Sequence, residues 1–284
     1  MKRTFAVIAS LACFFGAGYG AGWWLRDAHS VPLTILHVND SHSYLEPVRT
    51  GSLAGMGGAL ERAAFVDSVR VADGAENVLL LHGGDFSQGT SYYSEFGAPL
   101  MVSVLNAMKY DVATLGNHEF DNGIEALGAA LAGCSVPIVV CNYDFSSLPL
   151  GEFVKPYVIV EKAGRRIGVV GVLCSMSSMT SAEIADRLIE RDMFTSVQET
   201  VDAIRPECDM IIALTHIGYE EHNPGDITDP ILCAATRGID VFVTGHSHTF
   251  MDAPVYVKNL DGKSVPIVQV GWTGSYMGEL HWNQ

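Results

Sequence analysis

Between Pro32 and Trp282, short β-branched and aliphatic runs alternate with amphipathic stretches, and this alternation restricts the chain to layered α/β structure. Strands are predicted over Pro32–Val38, Asn77–His82, Asp111–Leu115, Val136–Cys141, Tyr157–Glu161, Arg166–Cys174, Met210–Thr215, Val241–Thr244, Val255–Lys258, Val265–Val270 and Met277–Trp282. Apolar residues at helical spacing predict helices over Gly58–Val71, Pro99–Lys109, Ile124–Leu131, Ser181–Asp192, Val197–Ile204 and Asp229–Thr236. Asn259-Leu260-Asp261-Gly262 separates two late strands as a hairpin turn does, with Asp-Gly as its signal. No internal repeat or long linker interrupts the pattern, so residues 31–284 are read as one domain.

Five of the strand-like runs end in residue types that hold metal ions. Asp40-Ser41-His42 follows the first, where a carboxylate and an imidazole two residues apart can meet one cation in a turn. Gly83-Gly84-Asp85 follows the second; its glycines allow close backbone approach and leave a carboxylate able to bridge two ions. Gly116-Asn117-His118-Glu119-Phe120-Asp121, Thr215-His216 and Gly245-His246-Ser247-His248 complete the set. Taken singly, Asp40 or Asp85 reads as a helix cap and His216 as a hydrogen-bonded core histidine. Together they imply convergence at the carboxyl edge of a sheet, where open α/β folds carry their sites. Two carboxylates, an amide and four imidazoles form a mixed nitrogen and oxygen donor set suited to zinc, manganese or iron rather than calcium.

Ile35-Leu36-His37-Val38-Asn39-Asp40-Ser41-His42, Gly84-Asp85 with Gln88-Gly89-Thr90, Gly116 to Asp121, Thr215-His216 and Gly245 to Thr249 resemble, in that order, the motifs of the calcineurin-like metallophosphoesterases. Within them the chain is similar to the 5′-nucleotidase branch, which Gly57-Gly58 with Arg62, and Gly271, Gly274, Tyr276 and Gly278, also resemble. The resemblance runs from about Pro32 to Trp282. It implies a four-layer α/β/β/α sandwich with a dinuclear centre of two divalent ions. On that basis Asp40, His42, Asp85 and His248 hold one metal, and Asp85, Asn117, His216 and His246 the other, with Asp85 as the bridge. His118 is then a catalytic residue rather than a ligand, oriented by Asp121.

The implied reaction is hydrolysis of a nucleotide or related phosphomonoester, in which two cations polarise the phosphoryl oxygens and a metal-activated hydroxide attacks in line. His118 stabilises the developing charge and protonates the departing oxygen. The alternatives are a phosphodiesterase or pyrophosphohydrolase acting on cyclic nucleotides or nucleotide sugars, and a catalytic subunit that needs a separate substrate-binding chain. The second alternative arises because typical 5′-nucleotidases continue into a domain that stacks the base, whereas this sequence stops at Gln284 after its last expected strand. A catalytically idle binding subunit is a third, opposed by the presence of every ligand-type residue and of the His118/Asp121 pair.

Lys2 and Arg3 precede an uncharged stretch, residues 4–25, which reads as a signal peptide or N-terminal membrane anchor within residues 1–30. The expected location is therefore periplasmic, or membrane-anchored and facing outside the cytoplasm. Ser10-Leu11-Ala12-Cys13 is a poor lipidation site because its apolar residue sits one position late. A net charge of −15 opposes a phosphate-tracking surface and excludes a nucleic acid polymer as partner. Cys134, Cys141, Cys174, Cys208 and Cys233 have no CxxC spacing and can form at most two disulfides, and those in apolar strand-like runs, such as Cys141 and Cys174, read as buried inert thiols. His37 and His82 sit inside strand runs and read as structural, Met176 and Met179 as packing, and Tyr92, Tyr93 and Phe96 as an aromatic loop.

Overall fold

The computed structural model describes residues 31–283, so the export segment expected in residues 1–30 lies outside the described residues. The chain opens with β1 (Leu33–Val38), α1 (Ala59–Asp73), β2 (Val78–His82), α2 (Ser91–Phe96), α3 (Ala98–Met108) and β3 (Val112–Thr114). Then come α4 (Ile124–Leu131), β4 (Ile138–Val139), β5 (Tyr143–Asp144), β6 (Val154–Lys155), β7 (Tyr157–Lys162), β8 (Arg165–Leu173), α5 (Ala182–Ala185) and β9 (Ile189–Glu190). The remainder is α6 (Met193–Ile204), β10 (Met210–His216), α7 (Asp229–Ala235), β11 (Val241–Val243), β12 (Val255–Lys258), β13 (Ser264–Val268) and β14 (Gly278–Trp282).

These strands build two six-stranded sheets, ordered β14-β1-β2-β3-β4-β6 and β12-β13-β11-β10-β8-β7. The interior of each is parallel, while β14, β12 and β7 join antiparallel. Alternation along the strands explains how the sheets stack. Leu33, Ile35, Leu79 and Leu81 from the first sheet share an apolar cluster with Ile167, Val169, Ile212 and Val243 from the second. The intervening residues Leu36, Leu80, Val170 and Ile211 face the other way, onto Val66 of α1, Leu105 of α3, and Val197 and Val201 of α6. Helices thus cover the outer faces of two facing sheets, the layered α/β order that the sequence implies.

At Gly171 the two sheets approach closely. A Cβ on Gly171 in β8 would fall 1.9 Å from the Val139 carbonyl oxygen in β4, and the Cys141 N–H donates to the Gly171 carbonyl at 2.9 Å.

The predicted elements need three corrections. The helix expected over Ser181–Asp192 ends after one turn, because Ile189–Glu190 instead pairs antiparallel with Tyr143–Asp144 and Asp192 starts the next helix, its carboxylate accepting the Thr195 N–H at 2.8 Å. That helix accordingly begins at Met193, four residues before the predicted Val197. The aromatic loop is a helix, Ser91–Phe96, capped by the Thr90 hydroxyl, with Tyr93 buried and Phe96 exposed. All five cysteines from Cys134 onward are free. Among the described residues no helix is long and apolar enough to cross a membrane.

Candidate metal centre

The five polar clusters meet at the carboxyl ends of strands from both sheets: β1, β2 and β3 deliver Asp40, His42, Asp85 and Asn117, and β10 and β11 deliver His216, His246 and His248. The backbone bends sharply to aim them. Asp40, His42, Asp85, His246 and His248 all have positive φ, between 44° and 80°, a left-handed conformation uncommon for residues with a Cβ. Close approach makes two glycines obligatory. A Cβ on Gly84, itself at φ +84°, would lie 2.6 Å from His216 Nδ1, and one on Gly116 would lie 2.1 Å from an Asp85 carboxylate oxygen.

Two sets of donor atoms converge, Asp40 with His42 and His248, and Asp40 with Asp85 and His216, each set within 4.8 Å. His42 Nε2 and His248 Nε2 are 3.1 Å apart, and His248 Nε2 is 3.4 Å from Asp40 Oδ1. Asp85 Oδ2 is 3.8 Å from His42 Nε2 and 3.2 Å from His216 Nε2, so this carboxylate reaches toward both sets. His246 Nδ1 and Asn117 Oδ1 lie 3.0 Å apart beside them. All seven residues named from the sequence are therefore in one place.

The donor set fits a pair of divalent cations on a feature of this structure. His216 is fully buried, with Nδ1 against the Gly83 carbonyl at 2.7 Å and Nε2 aimed at the two carboxylates without a hydrogen bond. A backbone carbonyl that fixes one ring nitrogen and leaves the other facing carboxylates is the arrangement of a metal-ligating histidine. Electrostatics agree. Burial pulls His216 down, but the Asp85 and Asp40 carboxylates outweigh it and push His216 up to about 10. Burial pushes Asp85 up, yet His216 and His42 hold it well below the ordinary carboxylate range. Burial depresses His42, and likewise takes His246 down to about 4.

His118 and Asp121 stand beside this group. His118 Nδ1 is 2.9 Å from Asp121 Oδ2, its ring is 5.3 Å from that of His42, and its backbone N–H donates to Asp85 at 3.0 Å. The Asp121 hydrogen bond raises the His118 pKa above its ordinary value. The ring is half-buried.

Three supporting residues escape a reading of ligand types alone. The buried Glu119 carboxylate accepts backbone N–H groups from Asp85, Ser87 and Gly116 at 2.9, 2.9 and 2.6 Å, and burial with the Asp85 charge pushes it up to about 7. Asn39 donates to Asp40 Oδ2 at 2.6 Å and to the Gly271 carbonyl at 2.7 Å. Trp272 stacks on His248, with ring centroids 5.2 Å apart. Glu119 and Asn39 lie inside the motifs, but only the fold shows what they hold; Trp272 carried no signal. His37 and His82 are buried, and burial takes them down to about 4 and 3, so both are neutral.

A family model described as calcineurin-like phosphoesterase matches residues 33–250. The chain is 32% identical to a 5′-nucleotidase of Diplobatis ommata over 97% of its own length and 48% of that protein. It is 33% identical to a 5′-nucleotidase of Homo sapiens over 87% of its length and 46% of that protein. It also resembles the crystal structure of a 5′-nucleotidase precursor from Thermus thermophilus, with a TM-score of 0.78 and 32% identity, over 88% of this chain and 51% of that one. The NAD nucleotidase structure from Haemophilus influenzae matches with a TM-score of 0.75 and 31% identity, over 88% and 52%. The chain spans about half the length of the curated relatives it matches.

Proposed function

This chain belongs to the calcineurin-like phosphoesterase family, and from that premise we propose that it hydrolyses phosphomonoesters of the nucleoside 5′-monophosphate type with two divalent ions. The observation that carries this reading is the pair of converging donor sets, with the buried Nε2 of His216 turned onto Asp85 and Asp40. Asp40, His42, Asp85 and His248 are assigned to one ion, and Asp85, Asn117, His216 and His246 to the other. The imidazole-rich donor set favours zinc, manganese or iron. When bound, such ions supply Lewis acidity toward phosphoryl oxygens and lower the pKa of water.

The chain's own residues do the rest. His118, held by Asp121 through Nδ1, presents Nε2 to the ester oxygen and delivers the proton that the departing alkoxide needs. Asp121 fixes the ring and favours its protonated form, the form that can donate the proton. Glu119 keeps Asp85 and Gly116 in register, and the Asp40 and Asp85 carboxylates would contribute to holding the ions.

The similarity to an NAD nucleotidase favours one second reading, cleavage of a phosphoanhydride in a dinucleotide. Binding of the nucleoside by a further domain or a separate chain fits the greater length of the relatives, and export fits the charged and apolar pattern of residues 1–30.

The test is product analysis with the full chain, stripped with chelator and then reloaded with manganese or zinc: phosphate release from nucleoside monophosphates and p-nitrophenyl phosphate, and mononucleotide formation from cyclic nucleotides and dinucleotides. Activity on a 5′-monophosphate that disappears with chelator, returns with metal and is abolished in Asp85→Asn supports the proposal. A metal-loaded chain that turns over none of these esters overturns it.

A further inference from the structure

Each of the two ligand sets has beside it an imidazole that is not one of the assigned ligands. His118 lies against His42, and the ring of His222 lies 5.5 Å from that of His246, tilted by 53°. The two differ in their company. His118 is held by the Asp121 carboxylate, whereas His222 stands exposed in the loop that follows β10, and among the described residues no carboxylate pairs with it.

The loop is built to keep that ring in place. Its neck is closed where the Asp229 N–H donates to the Gly218 carbonyl at 2.8 Å. Gly218 has φ +91°, and a Cβ there would sit 3.4 Å from His246 Cδ2 and 3.4 Å from Ser247 Cβ, so the neck lies directly against the metal-site turn. The Tyr219 N–H donates to the Ser247 hydroxyl at 2.9 Å, which ties the loop to the residue between His246 and His248. Directly after His222, the Asn223 N–H donates to Asp226 at 2.6 Å, and Asn223 Nδ2 donates to the Ser178 hydroxyl at 3.3 Å. His222 is therefore anchored on both sides.

A metal-ligating imidazole works best when the part of its ring away from the ion is also held. His216 has the Gly83 carbonyl for this purpose. In His246, Nδ1 lies beside the Asn117 oxygen assigned to the same ion, and the loop neck meets the opposite, Cδ2 edge. Among the described residues no hydrogen bond fixes that edge. Ring contacts hold His246 instead, from His216 at 5.1 Å and from His222.

We infer that His222 is a positioning residue of the metal centre: its ring steadies His246, and through it the ion assigned to Asp85, Asn117, His216 and His246. The inference rests on the ligand assignment proposed above. His222 itself holds no ion and delivers no proton.

The experiment titrates cobalt, a coloured stand-in for zinc, into the chelator-stripped full chain and into its His222→Ala and His222→Phe variants, following heat and visible absorption. Melting in chelator reads the fold separately, and the wild type is assayed on the esters above. We expect two binding steps in the wild type. In His222→Ala one step should weaken by about tenfold, the lower end of what loss of an outer partner does, with altered cobalt absorption in that step, while the other keeps its affinity. His222→Phe retains a flat ring and should recover most of both. Equal affinities and spectra in wild type and His222→Ala, with esters turned over, overturn the inference and leave the hydrolase reading in place. A His222→Ala chain that melts earlier in chelator and loses both steps together also overturns it, because the role of His222 then lies in the fold. One weakened step in His222→Ala, with no ester turned over by the wild type, leaves the positioning role standing and removes the hydrolase reading.

Discussion

The Glu119 carboxylate accepts the backbone N–H of Asp85 at 2.9 Å, and in the same grip holds the N–H groups of Ser87 and Gly116. An acidic side chain one residue from His118 is thus occupied by backbone donors and fixes the turn that aims Asp85. Removing it strands three buried donors, each worth about 1–3 kcal/mol when unsatisfied. Glu119→Ala should lose several kcal/mol of stability, on the order of the sum of those terms, and should bind metal weakly because the strained Asp85 turn relaxes. Glu119→Gln keeps one acceptor and should fall between. Chemical denaturation and metal analysis of the purified variants check this order, and wild-type metal content in Glu119→Ala would contradict it.

His118 offers a separable effect because in the proposed reaction it donates a proton and holds no ion. His118→Ala should lower kcat by about 10²–10⁴-fold while retaining the metal content of the wild type. Asp121→Asn should act through pH. The Asp121 hydrogen bond raises the His118 pKa, so the acid form persists to higher pH than in an ordinary histidine; without that carboxylate the alkaline limb of the rate profile should move to lower pH. A profile that stays in place in Asp121→Asn would separate the pair from proton delivery.

How much of this was legible in sequence depends on the distance over which each feature is decided. β1, β8 and β10 are set by local alternation and β-branching, and their bounds match within about one or two residues, the usual scatter at element ends. The ligand-type residues were legible because each closes a strand and their types are rare together. Periodicity did not supply the rest. That the clusters come from two facing sheets followed from the resemblance to a four-layer sandwich and not from local pattern, because interior residues such as Ile35, Leu79 and Ile212 show the same period whether one sheet or two is built. Ser181–Asp192 has helical spacing, but tertiary pairing of Ile189 with Asp144 overrides it. Glu119 and Trp272 act on residues that no local pattern connects to them.

Gly171 tests the contact between the sheets. Its missing side chain lets Val139 approach, so Gly171→Ala forces a methyl group onto a carbonyl oxygen and should lower stability by about 1–3 kcal/mol or more, as overpacking does. Gly133→Ala is the control, since a Cβ there meets only the Ala130 carbonyl oxygen at 3.6 Å, and its effect should stay within about 0.5 kcal/mol. Equal melting temperatures for the two variants would show that the sheets shift without strain.

Asp229 predicts a pH dependence of folding that can be measured in chelator. The side chain is fully buried at the start of α7, accepts the Thr215 hydroxyl at 2.5 Å, and burial pushes its pKa up to about 8. The fold therefore keeps the carboxyl neutral, whereas the unfolded chain ionises it near its ordinary value of 3.8. A raised folded-state pKa gives stability that is complete below about 4 and is lost as pH rises toward about 8, because over that range the unfolded state releases a proton that the folded state retains. Asp229→Asn stays neutral throughout and keeps an acceptor for Thr215. Measured in chelator by chemical denaturation at pH 5 and pH 8, the wild type should lose more stability between the two than the variant, by on the order of a few kcal/mol. Identical losses would mean that Asp229 ionises inside the fold, with its charge answered by a group other than Thr215.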